Sequence, residues 1–171
     1  AHVKKIVYAS LFAALTGAGA WISIPLVIVP ITLQTLFVIL AGGMLGAYYG
    51  ALSMVVYILL GLVGLPVFSR GQSGVGVLIG PTGGYLVGFV VAAFIIGLLV
   101  SRVKRPGFAW NLMAMSIGTI AIYACGVAGL IIVTHMAPAS AIVAGVLPFL
   151  PGDIAKVIVA AYISSKFSLE K

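Results

Sequence analysis

Polar side chains are so sparse along this chain that its elements are read from where the apolar runs are interrupted. Lys4 and Lys5 precede an apolar run over 6–22, long enough for a first membrane crossing. Pro25 and Pro30 bracket a short extended link. A second helix is expected to start at Thr32 or Leu33 and to break in Gly46-Ala47-Tyr48-Tyr49-Gly50, with a third running on to Gly64. One full crossing takes about 20 residues, so two helices within 33–64 cannot both span the bilayer from surface to surface. At least one must be short or begin below the surface, which leaves a recess. The glycine- and proline-rich stretch 65–82 has neither helical nor alternating periodicity, and connections of that length are usually lids or binding loops. A fourth helix is predicted over 83–103, closed by Arg102, Lys104, Arg105, Pro106 and Gly107, and a fifth over 108–134. The link 135–147 contains Pro138, and a sixth helix opens at Pro151, a residue suited to a first helical turn, and continues to about 167. No internal repeat is evident.

Composition fixes the class. With 63% hydrophobic and 6% charged residues and a mean hydropathy of +1.33, the chain has too little polar surface to cover a water-soluble globule. The expected fold is an all-α integral membrane protein, a single six-transmembrane-helix bundle over 1–171, since a β-barrel would show alternating segments of about ten residues. The net charge of +7 is dispersed at the ends of apolar segments and forms no nucleic-acid patch. Lys4, Lys5, Arg102, Lys104, Arg105, Lys166 and Lys171 fall on one side of a six-crossing topology and Arg70 on the other, which places both termini in the cytoplasm. Cys125 stands alone and supports neither a disulfide nor a thiolate metal site. No leader with a cleavage site is recognised, so a signal peptide is not expected.

The chain has two acidic residues, and Asp153 is the one away from the termini. An Asp or Lys at mid-helix in a bilayer costs about 2.5–3.5 kcal/mol on insertion scales, so Asp153 and Lys156 need compensation. Asp153 falls in the predicted first turn of the sixth helix, where unpaired backbone N–H groups favour a carboxylate, and Lys156 lies three residues on along the same face. The pair is read either as an internal tie between helices or as the polar anchor of an outward-facing small-molecule pocket. In the second reading Gln72, Ser73, Thr82 and Tyr85 supply further polar groups. Neither a dinucleotide fingerprint nor a phosphate-binding Gly-x-x-x-x-Gly-Lys-Ser/Thr loop occurs, so the chain is not expected to hydrolyse ATP, to be an enzyme, or to hold a cofactor or metal.

Four blocks carry a resemblance: Pro30-Ile31-Thr32-Leu33-Gln34-Thr35-Leu36, Gly61-Leu62-Val63-Gly64-Leu65-Pro66-Val67-Phe68, Gly80-Pro81-Thr82-Gly83-Gly84-Tyr85, and Pro151-Gly152-Asp153 with Lys156. In this order they resemble the signature blocks of the BioY family, the biotin-binding S components of energy-coupling factor (ECF) transporters. The resemblance implies a six-helix subunit in a prokaryotic cell membrane, with biotin as ligand. It also implies as partners a transmembrane coupling subunit (T component) and two cytoplasmic ATPases. It maps the ureido ring to Asp153, with Lys156 and Gln72 nearby. Some relatives carry Asn at the position of Gln72 and a basic residue where this chain has Leu86. The biotin carboxylate is thus left to backbone N–H groups of the Gly-rich loop, to Ser73, Thr82 or Tyr85, or to Lys156 in a reversed pose.

On the first helix Ala9, Ala13 and Gly17 recur every four residues, with Ala14 and Ala18 one row over. Such stripes serve close helix packing, and in S components an Ala-x-x-x-Ala pair on this helix docks the coupling subunit, a role that falls by position on Ala9 and Ala13. Trp21, Tyr48, Tyr49, Trp110 and Tyr162 fit interfacial belts. Two other readings differ in class. An S component for another vitamin would share the scaffold. A rhomboid-like intramembrane protease would use Ser73 in Gly71-Gln72-Ser73-Gly74 with His135 as base, but it leaves Asp153 and Lys156 unexplained.

Overall fold

The computed structural model describes residues 2–167 and 169. Lys171, counted above among the charges of one side, lies outside them. Helix α1 (His2–Trp21) starts a turn earlier than the apolar run, because Lys4 and Lys5 are good helix formers and their stems extend along the helix. The link bracketed by Pro25 and Pro30 is a two-stranded ribbon, β1 (Ser23–Ile24) antiparallel to β2 (Ile31–Thr32). Helices α2 (Gln34–Leu62), α3 (Val75–Leu78), α4 (Gly83–Ser101), α5 (Phe108–Thr134), α6 (Pro138–Gly145) and α7 (Leu150–Lys166) follow.

Helix α2 contains the reversal anticipated in the 46–50 glycine pair, compressed into a single residue. Gly46 has φ 81° and ψ 179°, a backbone state open to glycine and closed to residues with a Cβ. The arms on either side run back along each other. A Cβ on Gly50 would lie 3.0 Å from the Ala41 carbonyl oxygen, and the Gln34 amide donates to the Tyr57 hydroxyl near the far ends of the arms. At 1.5 Å per residue, arms 34–45 and 47–62 are about 18 and 24 Å long, both short of the roughly 30 Å hydrocarbon core. The shortfall predicted from residue count alone is therefore real.

Helix α4 packs on α2 on one side and on α5 on the other and buries a broad face that includes Tyr85, Phe89, Ala93 and Val100. Outward-facing positions stay apolar: Val7 and Leu11 on α1, Phe94 and Leu98 on α4, Ile120 and Ile132 on α5 and Ile158 on α7 are exposed. Apolar exteriors of this kind face lipid. Gly83–Ser101, Phe108–Thr134 and the Pro138–Lys166 stretch are long and apolar enough to cross a membrane, and Gln34–Leu62 is as apolar but folded back on itself at Gly46.

Two links differ from expectation. The 135–147 connection contains helix α6, started by Pro138 at its first turn after α5 ends on His135 in the left-handed region (φ 57°). A 3₁₀ turn, Leu147–Phe149, then leads into α7. The 65–82 loop is also ordered, with a 3₁₀ turn at Ser69–Gly71 and the short α3. It is tied down at several points: Trp21 Nε1 donates to the Pro66 carbonyl (3.0 Å), the Tyr57 hydroxyl to the Val67 carbonyl (2.9 Å), and Gly74 N–H to the Gly61 carbonyl (2.7 Å). Phe68 is buried edge-on against Tyr57.

Candidate functional site

Pro151 lies in the first turn of α7, and Asp153 follows in the same turn as the sequence predicts. Lys156 reaches back to it, with Nζ 3.3 Å from Asp153 Oδ1. Both side chains are largely withdrawn from solvent, Lys156 being 13% and Asp153 7% exposed. The pair thus looks out much less than its place at a helix end implied. Their compensation is complete. Asp153 Oδ1 also accepts from the Thr35 hydroxyl (3.2 Å), and Oδ2 accepts from the Tyr123 hydroxyl. Lys156 donates to the Thr32 carbonyl (2.6 Å), to Thr35 Oγ1 (3.0 Å) and to Asp153. An ammonium has three N–H groups, so Lys156 is fully used within the protein, tying α7 to the start of α2.

This network forms one end of a cavity beneath the 65–82 loop. Thr32 enters it from β2, and Gln34 and Thr35 from the start of the short first arm of α2. Thr82, Tyr85 and Phe89 come from the beginning of α4, Ile122 and Tyr123 from α5, and Phe68 and Phe149 from the flanking turns. Aromatic and aliphatic walls with a few convergent polar groups are the usual construction of a small-molecule site. Each carboxylate oxygen can accept two hydrogen bonds, so Oδ2, engaged by Tyr123, retains capacity for a ligand donor.

Of the residues singled out in the sequence, Asp153, Lys156, Thr82 and Tyr85 meet in this cavity. Tyr85 offers its ring, since its hydroxyl donates to the Gly145 carbonyl (2.7 Å) and anchors α6. Gln72 and Ser73 are not brought there. They line a shallower outer recess with Arg70, which joins the cavity through Pro30, Ser69, Val77 and Thr82. The 3₁₀ turn at Ser69–Gly71 holds that strip of loop above the mouth. Ser73 shares no hydrogen bond with His135 among the described residues, and His135 lies outside both recesses, so the serine–histidine arrangement of a protease is absent from them.

The small-residue stripe faces inward. Ala9, Ala13 and Gly17 are buried within the chain, and a Cβ on Gly17 would stand 3.2 Å from Val67. They serve intramolecular packing of α1, and the exposed small residues of that helix are Ser10, Ala14 and Ala18. Thr35 and Tyr123, which complete the Asp153 network, were missed by sequence reasoning. The signal for Thr35 was the cluster Thr32, Gln34 and Thr35, three polar side chains at the start of an otherwise apolar helix. For Tyr123 there was none beyond a hydroxyl in mid-helix.

The BioY family model matches residues 1–170. The chain is 47% identical over 162 residues to the biotin transporter BioY of Thermotoga maritima, covering 95% of this chain and 94% of that protein. It is 40% identical to the biotin transporter BioY of Rhodobacter capsulatus, covering 94% and 91%. Among solved structures, the S-component for biotin from an ECF-type ABC transporter superposes with a TM-score of 0.85 at 29% identity, covering 96% of this chain and 90% of that one. With a family model spanning nearly the whole chain and relatives this similar along their length, the protein belongs to the BioY family.

Proposed function

We propose that the protein is the biotin-binding membrane subunit of an ECF-type vitamin transporter and binds its ligand in the cavity beneath the 65–82 loop. The observation that carries this reading is the meeting, in one cavity, of a buried carboxylate with acceptor capacity left on Oδ2 and a wall of aromatic rings. A ureido N–H donates to Asp153 Oδ2, and the apolar bicycle and thioether lie against Phe68, Tyr85, Phe89 and Phe149. Lys156 has no free donor, so its part is to keep Asp153 charged and to hold α7 against α2. Of the two roles open for it in the sequence, the hydrogen bonding supports this one.

The valerate carboxylate then points toward the outer recess, where Arg70 is the cation. Arg70 sits at φ 61°, a left-handed conformation uncommon for a residue with a side chain, and donates to the Leu26 carbonyl (2.6 Å). Gln72 and Ser73 line the same recess and serve the carboxylate end rather than the ureido ring. Arg70→Gln is expected to weaken biotin binding about fivefold to tenfold and to leave biotinamide binding unchanged. Equal losses for both ligands in a titration would place the carboxylate elsewhere.

In this reading α1, the two arms of α2, α4, α5 and α7 are six crossings, with both termini in the cytoplasm of a prokaryote and the cavity facing outward. The gathering of Lys5, Lys104, Arg105 and Lys166 at one end of the bundle supports that orientation. A transmembrane coupling subunit approaches α1 along the exposed Ser10, Ala14 and Ala18, and two cytoplasmic ATPases supply the nucleotide chemistry for which this chain has no motif. The direct test is to titrate biotin against the purified protein in detergent and to identify any co-purified ligand by mass spectrometry. Saturable binding of one biotin per chain is expected, and a folded sample that binds none would sink the assignment.

A further inference from the structure

At the end of the bundle away from the proposed ligand cavity, the start of α1, the α4–α5 turn and the last turn of α7 enclose a second, open recess. Four cations, Lys5, Lys104, Arg105 and Lys166, line it, and among the described residues no acidic side chain does. Among the described residues the one salt bridge is Asp153–Lys156, so none of the four is paired with a carboxylate; Glu170 is not among those residues. Lys5 and Lys166 rest over the rings of Tyr49 and Tyr162 at 5.5 and 5.8 Å, contacts that leave ammonium N–H groups free for an anion.

A second observation comes from the wall itself. Ser164 is 7% exposed, and its Oγ is buried with no hydrogen-bond partner among the described residues. Hydroxyls elsewhere in these helices are satisfied locally: Thr16, Ser116, Thr119 and Thr134 each donate to the carbonyl four residues back. Ser164 does not, although that bond is open to any helical serine. It packs closely against Gly43, where a Cβ would stand 2.6 Å from Met115 Cε and 2.8 Å from Ser164 Oγ. A buried unpaired hydroxyl costs about 1–3 kcal/mol and calls for a partner.

We propose that this recess binds a phosphate group, supplied by the headgroup of an anionic phospholipid. Four cations around one space, a fork-shaped guanidinium among them, and an unused hydroxyl in the wall match the oxygen-rich anion. The source is argued from position. The recess opens where the apolar helices end, with Val100, Val103 and Phe167 in its lining, so a bound headgroup can keep its acyl chains along the lipid-facing helices. A free phosphate ion has no use for that apolar margin.

The test uses the full chain in detergent, titrated with dioleoylphosphatidylglycerol, dioleoylphosphatidylcholine or inorganic phosphate. Lipid adducts are followed by native mass spectrometry and melting by a thermal scan. Phosphatidylglycerol is expected to be retained in preference to phosphatidylcholine and to raise the melting temperature, with the preference reduced at about 0.5 M salt. Lys104→Gln with Arg105→Gln should lower its affinity about tenfold to thirtyfold, and Ser164→Ala several-fold. Biotin binding should be unchanged in both variants, which also reports that they are folded. Equal retention of the two lipids, or an unaltered preference in the Lys104/Arg105 variant, would overturn the proposal. Stabilisation by millimolar inorganic phosphate without a phosphatidylglycerol preference would overturn the lipid source and assign the recess to the free ion.

Discussion

Asp153→Asn is expected to weaken biotin binding tenfold to a hundredfold while leaving the polypeptide able to fold. The carboxylate accepts from Thr35, Tyr123 and Lys156 at once. An amide of the same shape has one oxygen, so its NH₂ group must face one of those donors, and the negative charge that balances Lys156 is gone. Loss of one partner from a buried pair costs on the order of 3–5 kcal/mol because the other charge is left uncompensated. Loss of a charge-assisted hydrogen bond to the ligand contributes about 1.5–3 kcal/mol in addition. The two effects are separable. Lys156→Met on the Asp153→Asn background removes the orphaned charge and should recover most of the lost thermal stability. Biotin affinity should stay low in that double variant, since the ligand's acceptor has not returned. Recovery of affinity together with stability, measured by calorimetry on the same samples, would reduce Asp153 to a tie between helices.

Gly97→Ala is expected to be among the most damaging single-methyl additions in the chain. A Cβ at Gly97 would lie 2.2 Å from the Ala47 backbone nitrogen and 2.3 Å from the Gly46 carbonyl carbon, at the reversal of α2. Those atoms are backbone, so no rotamer change relieves the overlap, and α4 must move off the turn by an ångström or more. Overpacking of this kind costs about 1–3 kcal/mol or more, and it loosens the helix pair that sets the depth of Thr32 and Thr35. Gly107→Ala is the control. Nothing stands within 4 Å of a Cβ there, and its φ of −81° suits alanine. A thermal melt of the two variants in one detergent should show a drop of several degrees for Gly97→Ala and little change for Gly107→Ala. Equal melting temperatures would mean that α4 and the α2 turn are less tightly apposed than these distances imply.

Helix α6 illustrates what the sequence concealed. Pro138 reads as a breaker inside a link, yet proline is tolerated in a first helical turn, and eight residues give too short a periodic signal to recognise. Gln72 and Ser73 illustrate the complementary difficulty. A Gly-rich loop discloses its composition but not its path, and whether a side chain faces an inner cavity or its mouth is set by anchors from distant elements, here Tyr57, Trp21 and Gly61. The row of Ala9 and Ala13 was visible as a periodic stripe. Its facing was not, because in a chain that is apolar on every side no polar face marks which row turns inward.

The sequence by itself determined the solvent, the helical class, the family blocks and the place of Asp153 in the first turn of its helix. These follow from hydropathy, segment length and local spacing, which act within a few residues of one another. It also implied a recess, since 33–64 is too short for two full crossings. Tertiary structure alone decided what that recess contains. Thr35 and Tyr123 lie far from Asp153 in the chain and meet it because α2 reverses at Gly46 and α5 packs against α7. A buried carboxylate must find its donors wherever the packed helices bring them, and local sequence carries no record of that choice.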